Sequence, residues 1–228
     1  MKYVSQLVTA ASGKVRGLVA SHNKGGTYFR GKTIPVDPKS PTQLAQRSRL
    51  SILIARFRAV LTASQRASWQ VFSENVSTID TLGNSMLITG PNWYVKSNTI
   101  RQQGGLAIVD QASSIFALSS LSPLSGTITA GGTAVTIGFA GGDDWNGNSV
   151  TAGLDIFASR PQNGTVNYFT GPYQFAGRIS NTSAAGATVS VALPFNSGTT
   201  GQRQFFYGVA SSADGRPSTL QRFFSTSP

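Results

Sequence analysis

The chain has 228 residues, 39% of them hydrophobic and 12% charged, with 25 glycines and no cysteine. Disulfides and thiolate metal sites are therefore excluded, and the mix is too apolar for a disordered chain. The formal net charge is +11, and it is placed unevenly. Residues 1–105 carry 14 Lys and Arg against Asp37, Glu74 and Asp80, whereas residues 106–228 balance five Arg with five Asp. A basic half beside a neutral half points to an anionic partner, either nucleic acid or the acidic surface of another subunit.

The N-terminus, MKYVSQLVTAASGKVRG, has no apolar run of signal-peptide length. The most apolar later stretch, residues 50–61, is interrupted by Arg56 and Arg58. It is also shorter than the ~20 residues that span a bilayer. The sequence therefore reads as a protein made in the cytoplasm, with neither signal peptide nor transmembrane segment.

Residues 1–39 read as an extended arm and hairpin. Segments 15–21 and 27–36 flank Asn23-Lys24-Gly25-Gly26, a turn whose glycines tolerate positive φ. Pro35 and Pro38 then stop further pairing and leave a stiff connector. Residues 40–105 read as a helical region with a small β-hairpin. Ser40-Pro41-Thr42-Gln43 is a capping box with proline at the first helical position. Leu50, Leu53, Ile54, Phe57 and Leu61 follow at helical spacing as one apolar stripe. The back of that helix carries the small residues Ser48, Ser51, Ala55 and Ala59, so another backbone can approach it closely. Thr62-Ala63-Ser64-Gln65 is a second capping box, opening a helix whose Trp69, Phe72 and Val76 face a core. Asp80-Thr81-Leu82-Gly83-Asn84 is turn chemistry for a hairpin between segments 76–79 and 85–88. A third helix starts at Thr89-Gly90-Pro91, runs through Trp93, Tyr94 and Ile100, and ends at Gly104-Gly105.

Residues 106–123 lack periodicity and read as a linker. From residue 124 to 228 the signals turn to strands: segments 133–139, 153–159, 187–193 and 204–210 alternate, with Gly, Pro, Asn or Asp between them. The predicted fold is an α+β N-terminal region with an extended arm, β-hairpins and about three helices. An all-β, antiparallel sandwich of about seven strands, of immunoglobulin or fibronectin type, follows it.

Two runs carry a family resemblance. They are Gly26-Thr27-Tyr28-Phe29-Arg30 through Pro35-Val36-Asp37-Pro38-Lys39-Ser40-Pro41-Thr42-Gln43 to Arg47, and Leu61-Thr62-Ala63-Ser64-Gln65-Arg66-Ala67-Ser68-Trp69. Leu82-Gly83-Asn84, Gly90 and Asn98 extend the match. The chain resembles an uncharacterised family of phage and prophage genomes, whose members share a GxYxR…PxxPxxPxQ…R…LTxxQRxxW pattern. Many carry a fibronectin-like tail, which Leu154-Asp155-Ile156-Phe157-Ala158-Ser159-Arg160-Pro161 is similar to. Phe57 stands where the family pattern has Trp. The resemblance implies a virion component and brings no catalytic residue with it.

Catalytic chemistry has little to draw on. His22 is the one histidine and Glu74 the one glutamate. A Ser-His-Asp arrangement would need His22, which sits beside a turn in a cationic segment. Asp143-Asp144-Trp145-Asn146-Gly147-Asn148 alternates oxygen side chains as a calcium loop does, but lacks the closing bidentate acid unless Asp155 approaches. The other reading is a polar turn around a packed Trp145. Gly131-Gly132 and Gly141-Gly142 lack the Lys-Ser/Thr ending of a phosphate loop and read as turns. No enzyme activity, cofactor or metal is expected.

The candidate contact residues are Lys14, Arg16, Lys24, Arg30, Lys32, Arg47, Arg49, Arg56, Arg58 and Arg66. Their spacing matches no helix-turn-helix, zinc finger or RNA-recognition motif. Two readings stay open: contact with nucleic-acid phosphates without sequence readout, or pairing with acids on neighbouring subunits and with carbonyls at helix ends. The expected function is a virion structural protein of the capsid or its connector. Its partners would be copies of itself in a homo-oligomer, other virion proteins, and packaged DNA through phosphate contacts. The alternatives are a freestanding nucleic-acid-binding protein and a surface or glycan-binding sandwich whose Tyr168, Phe169 and Tyr173 stack on sugars.

Overall fold

The computed structural model describes residues 13–23, 26–79, 83–146, 151–180, 188–196 and 199–228. The turn residues Lys24 and Gly25, the hairpin turn 80–82, and Gly147 and Asn148 lie outside them. Two compact units divide the chain, Met1–Leu44 and Ala45–Pro228.

In the first unit, three short strands form an antiparallel meander: β1 (Gly13–Val15), β2 (Leu18–Asn23) and β3 (Gly26–Gly31). The β1–β2 turn places Arg16 at φ +48, an uncommon conformation for a residue with a side chain. Between 13 and 44, none of the residues whose burial is described is buried. Beyond β3 the chain runs without regular structure through Pro35 and Pro38, as two prolines dictate. Ser40 then begins the capping box: its Oγ accepts from Gln43 N at 3.4 Å, and its own N donates to Gln43 Oε1 at 3.3 Å.

The helix so opened, α1 (Pro41–Ala59), runs on into the second unit, where α2 (Ala63–Asn75) and α3 (Gly90–Gln103) follow. The Thr62–Gln65 capping box of α2 is complete in both directions. A minimal hairpin, β4 (Thr78–Ile79) with β5 (Ser85–Met86), joins α2 to α3. The helical core is aromatic: Trp69, Phe72, Trp93 and Tyr94 are buried with Leu53, Phe57 and Leu61. Edge-on ring contacts connect it, Trp69 to Tyr94 at 5.5 Å and Phe72 to Trp93 at 5.4 Å. Of the stripe read along α1, Leu53, Phe57 and, just past the helix end, Leu61 are buried; Leu50 and Ile54 remain 41% and 42% exposed.

Seven strands follow: β6 (Ser125–Ile128), β7 (Ala134–Gly138), β8 (Gly153–Ala158), β9 (Gln174–Ser180), β10 (Thr188–Ala192), β11 (Arg203–Ser211) and β12 (Gln221–Thr226). They pair antiparallel in two open sheets of order β10-β7-β6 and β12-β11-β8-β9. Alternation assigns the faces. Val135 and Ile137 from the first sheet and Leu154, Ile156 and Phe206 from the second share one apolar core with Trp145. The chain is thus a mixed α+β protein with a β-rich C-terminal part.

Residues 106–123, read from sequence as a linker, have no regular structure yet are built into both cores. Ala112 is buried in the helical cluster with Ile108 and Leu118 against it, and Leu121 is buried in the strand cluster. Asn98 fixes the segment by accepting from Val109 N at 2.8 Å and donating to Val109 O at 3.0 Å.

Candidate functional site

The basic residues singled out by sequence separate into two groups. In the first unit, Lys14 lies opposite Val19, and Val19 opposite Arg30, so the three form one row across the meander. Lys32 follows directly, its N–H donating to Gly17 O at 2.7 Å. Lys14, Arg30 and Lys32, with Val19, Ile34 and Pro35, line a groove of about 460 Å³, and among the described residues no carboxylate lines it. Arg16 is exposed at the β1–β2 turn, and Lys24 lies outside the described residues.

In the helical region several arginines serve the fold. Arg56 Nε and Nη2 donate to the two oxygens of Asp110 at 2.8 and 2.6 Å. That hydrogen bond holds the Asp110 carboxyl below its ordinary range and raises the guanidinium's pKa. Tyr94 Oη donates to the same carboxylate at 3.3 Å, and Trp69 Nε1 donates to the Asp110 carbonyl at 2.8 Å. Arg66 Nη1 donates to the carbonyls of Leu61 at 2.7 Å and Arg58 at 3.4 Å, capping the end of α1. Arg49 donates to Gln103 Oε1. Arg47 and Arg58 are exposed on α1. Asp110 is a residue that sequence reasoning passed over. Its signal was isolation, as the one acid between Asp80 and Asp143.

Two further cations are deeply placed. Arg101, 1% exposed, donates from Nε to Ala107 O at 2.9 Å and from Nη1 to Ser212 O at 2.8 Å and Ser211 Oγ at 3.2 Å. Burial lowers it to about 10, and the nearby charge of Arg178 adds to the effect. Arg178 pairs with the fully buried Asp155 at 2.7 Å. Space for its guanidinium exists because residue 104 is glycine: a Cβ there would lie 2.3 Å from Arg178 Cζ.

The catalytic candidates do not converge. His22 is exposed on β2, and Glu74 is exposed on α2, accepting from Gln70 Nε2 at 2.9 Å. Among the described residues no group of three His, Cys, Asp or Glu is placed to hold a metal ion. Asp143 accepts from Ser122 N and Oγ and from Trp145 Nε1, while Asp144 pairs with Arg216 at 3.2 Å. Both carboxylates thus tie a polar turn around buried Trp145, and Asp155 is engaged by Arg178 instead of approaching them.

The aromatics named from sequence cluster outside the four-stranded sheet. Tyr168 is exposed, and Phe169 and Tyr173 are half-buried against Phe205 and Tyr207. Among the described residues no helix is long and apolar enough to cross a membrane. No family model matches the chain, and no curated protein or solved structure matches it either.

Proposed function

We propose that this chain is a structural subunit of a larger assembly: a virion protein of the capsid or its connector, acting with copies of itself and other virion proteins. One observation carries the reading. The described part of the first unit is a three-stranded sheet and a proline-stiffened connector in which none of the residues whose burial is described is buried. Sheets of this size need an apolar face packed against something to be stable. Ile34 and Val36 on the connector are 77% and 89% exposed, and Leu44 and Ile52 on α1 and Val60 just after it are also exposed. Apolar side chains concentrated on one part of a chain mark an interaction surface. Strands and connectors of this kind gain their missing contacts from a neighbouring subunit.

The C-terminal strand orders, β10-β7-β6 and β12-β11-β8-β9, support a fibronectin-like sandwich as the second module. A second reading, contact with nucleic-acid backbone, is favoured by the groove of Lys14, Arg30 and Lys32, whose described lining holds three cations and no acid. The two readings are compatible if the groove faces packaged DNA.

The test is the solution mass of the full-length protein across a salt series, with and without duplex DNA. A defined oligomer that persists at high salt is expected. A monomer at every salt concentration that binds DNA only at low salt would overturn the assembly reading and leave the second.

A further inference from the structure

The register of the four-stranded sheet puts a continuous aromatic surface on the side away from the core. Phe205 lies opposite Phe224, and Tyr207 lies between Arg222 on one side and Phe157 on the other. The rings are in contact: Phe157 stacks on Tyr207 at 4.5 Å with 9° between planes, and Phe169 stacks on Phe205 at 5.8 Å. The segment after β8 is fastened over this surface. Arg203 Nη1 donates to Val166 O at 2.8 Å and to Asn167 Oδ1 at 2.6 Å, and its guanidinium lies 4.6 Å from the centre of the Phe224 ring. Tyr173 Oη donates to Phe169 O at 3.0 Å.

Between that segment and the sheet is a cleft of about 140 Å³ lined by Asn167, Tyr168, Phe169, Tyr173, Arg222 and Phe224, among others. Its two rims are large aromatics left in solvent, Tyr168 at 68% and Phe224 at 53% exposure. Rigid aromatic walls with a few convergent polar groups are the general form of a small-ligand site.

The polar groups say which ligand. Arg203 Nη1 takes the Asn167 oxygen, leaving that amide to donate. Arg222 is exposed and has no acidic partner among the described residues. Among the described residues no carboxylate lines the cleft. A neutral sugar carries no charge for Arg222 to meet. A polynucleotide draws its affinity from many phosphate contacts, whereas the cleft offers one unpaired arginine and residues 106–228 have no net charge.

The geometry points to a binding site for one acidic pyranose of a glycan. The apolar face of its ring would lie against Tyr168 and Phe224, and its carboxylate would be held by Arg222. An arginine matches a carboxylate with two parallel N–H donors, which a hydroxymethyl group cannot use in the same way.

Titration of the full-length protein with trigalacturonate, galactotriose and a short single-stranded DNA, followed by tyrosine fluorescence or calorimetry, tests the site. Trigalacturonate is expected to bind at least tenfold more tightly than galactotriose. Arg222→Gln should abolish that preference, and Tyr168→Ala should weaken trigalacturonate at least tenfold. Both side chains are exposed, so the melting temperature of each variant should stay at the parent value and separate lost binding from lost fold. Failure to bind trigalacturonate, tighter binding of the DNA, or trigalacturonate binding unchanged in Arg222→Gln and Tyr168→Ala would overturn the proposal.

Discussion

Arg56 on α1 and Asp110 in the segment after α3 meet as a two-pronged pair, at 2.8 and 2.6 Å. Because the same residue 110 accepts from Trp69 and Tyr94, it draws α1, α2 and α3 onto one point of an irregular segment. The pair is partly exposed, 36% and 25% by side chain, so solvent screening limits its worth.

Removing the pair tests that role. Arg56→Gln or Asp110→Asn should each lower the unfolding free energy by about 1 kcal/mol, with a double-mutant coupling of similar size. The pH dependence has a definite sign. The folded carboxyl is held below its ordinary 3.8 by the Arg56 hydrogen bond, so the unfolded chain takes up the proton first. The coupling is therefore complete above about pH 5 and is lost as pH falls through the depressed folded value. Urea titrations at pH 7 and pH 3 read it; a coupling of equal size at both would sink the assignment.

Close approach of α2 and α3 makes Gly90 a second test. A Cβ at that position would lie 3.0 Å from the backbone of Trp69 and Gln70. Backbone atoms inside a helix yield only by moving the helix, so Gly90→Ala should destabilise by about 1–3 kcal/mol. Its φ is not in the positive range, so strain there comes from packing alone. A denaturant midpoint equal to that of the parent would show that the helices are further apart.

Burial pushes the Asp155 carboxyl up to about 7 despite the opposing charge of Arg178. An acid raised in the folded state binds its proton more tightly there than in the unfolded chain. Stability from this group is therefore greatest near pH 4 and falls as pH rises towards 7, by an amount on the order of a few kcal/mol. Asp155→Asn, an uncharged isostere, should lack that decline. Melting curves from pH 4 to 8 check it, and a parent slope retained in the variant counts against the buried carboxyl as its source.

The local parts of this fold were legible because their determinants are local. Both capping boxes, the Thr89-Gly90-Pro91 start and the Gly104 stop act within a turn of the residues that encode them. Four of the seven C-terminal strands, β7, β8, β10 and β11, lie in the segments read as alternating, whereas β6, β9 and β12 were not singled out. Residues 106–123 were opaque for the opposite reason. Their order comes from single long-range contacts, Asn98 on Val109 and Arg56 on Asp110, which leave no period in the sequence. The same limit applies to the basic residues. Arg30, in the groove, and Arg66, on carbonyls at the end of α1, look alike in sequence and differ only in what tertiary structure sets beside them. The α1 stripe was right in part: Leu53, Phe57 and, just past the helix end, Leu61 turn to the core, while Leu50 and Ile54, one turn apart at its edge, stay in solvent.

That edge gives the sharpest test of assembly. Ile52, on the opposite side of α1 among Ser48, Ser51, Ala55 and Ala59, is 52% exposed, and Ile54 is 42% exposed. In an isolated subunit, Ile52→Glu and Ile54→Glu replace solvent-exposed residues with a good helix former and should shift stability by no more than about 0.5 kcal/mol. In an assembly that buries α1, the same glutamates would be desolvated without a built partner, at a cost of several kcal/mol per contact. Sedimentation of the two variants beside the parent separates the cases. Smaller species with unchanged melting of the subunit are expected from whichever side of α1 is covered. Parent-sized oligomers from both variants would mean that α1 lies outside the interface, leaving the exposed residues of the connector, Ile34 and Val36, as the place where neighbouring chains meet.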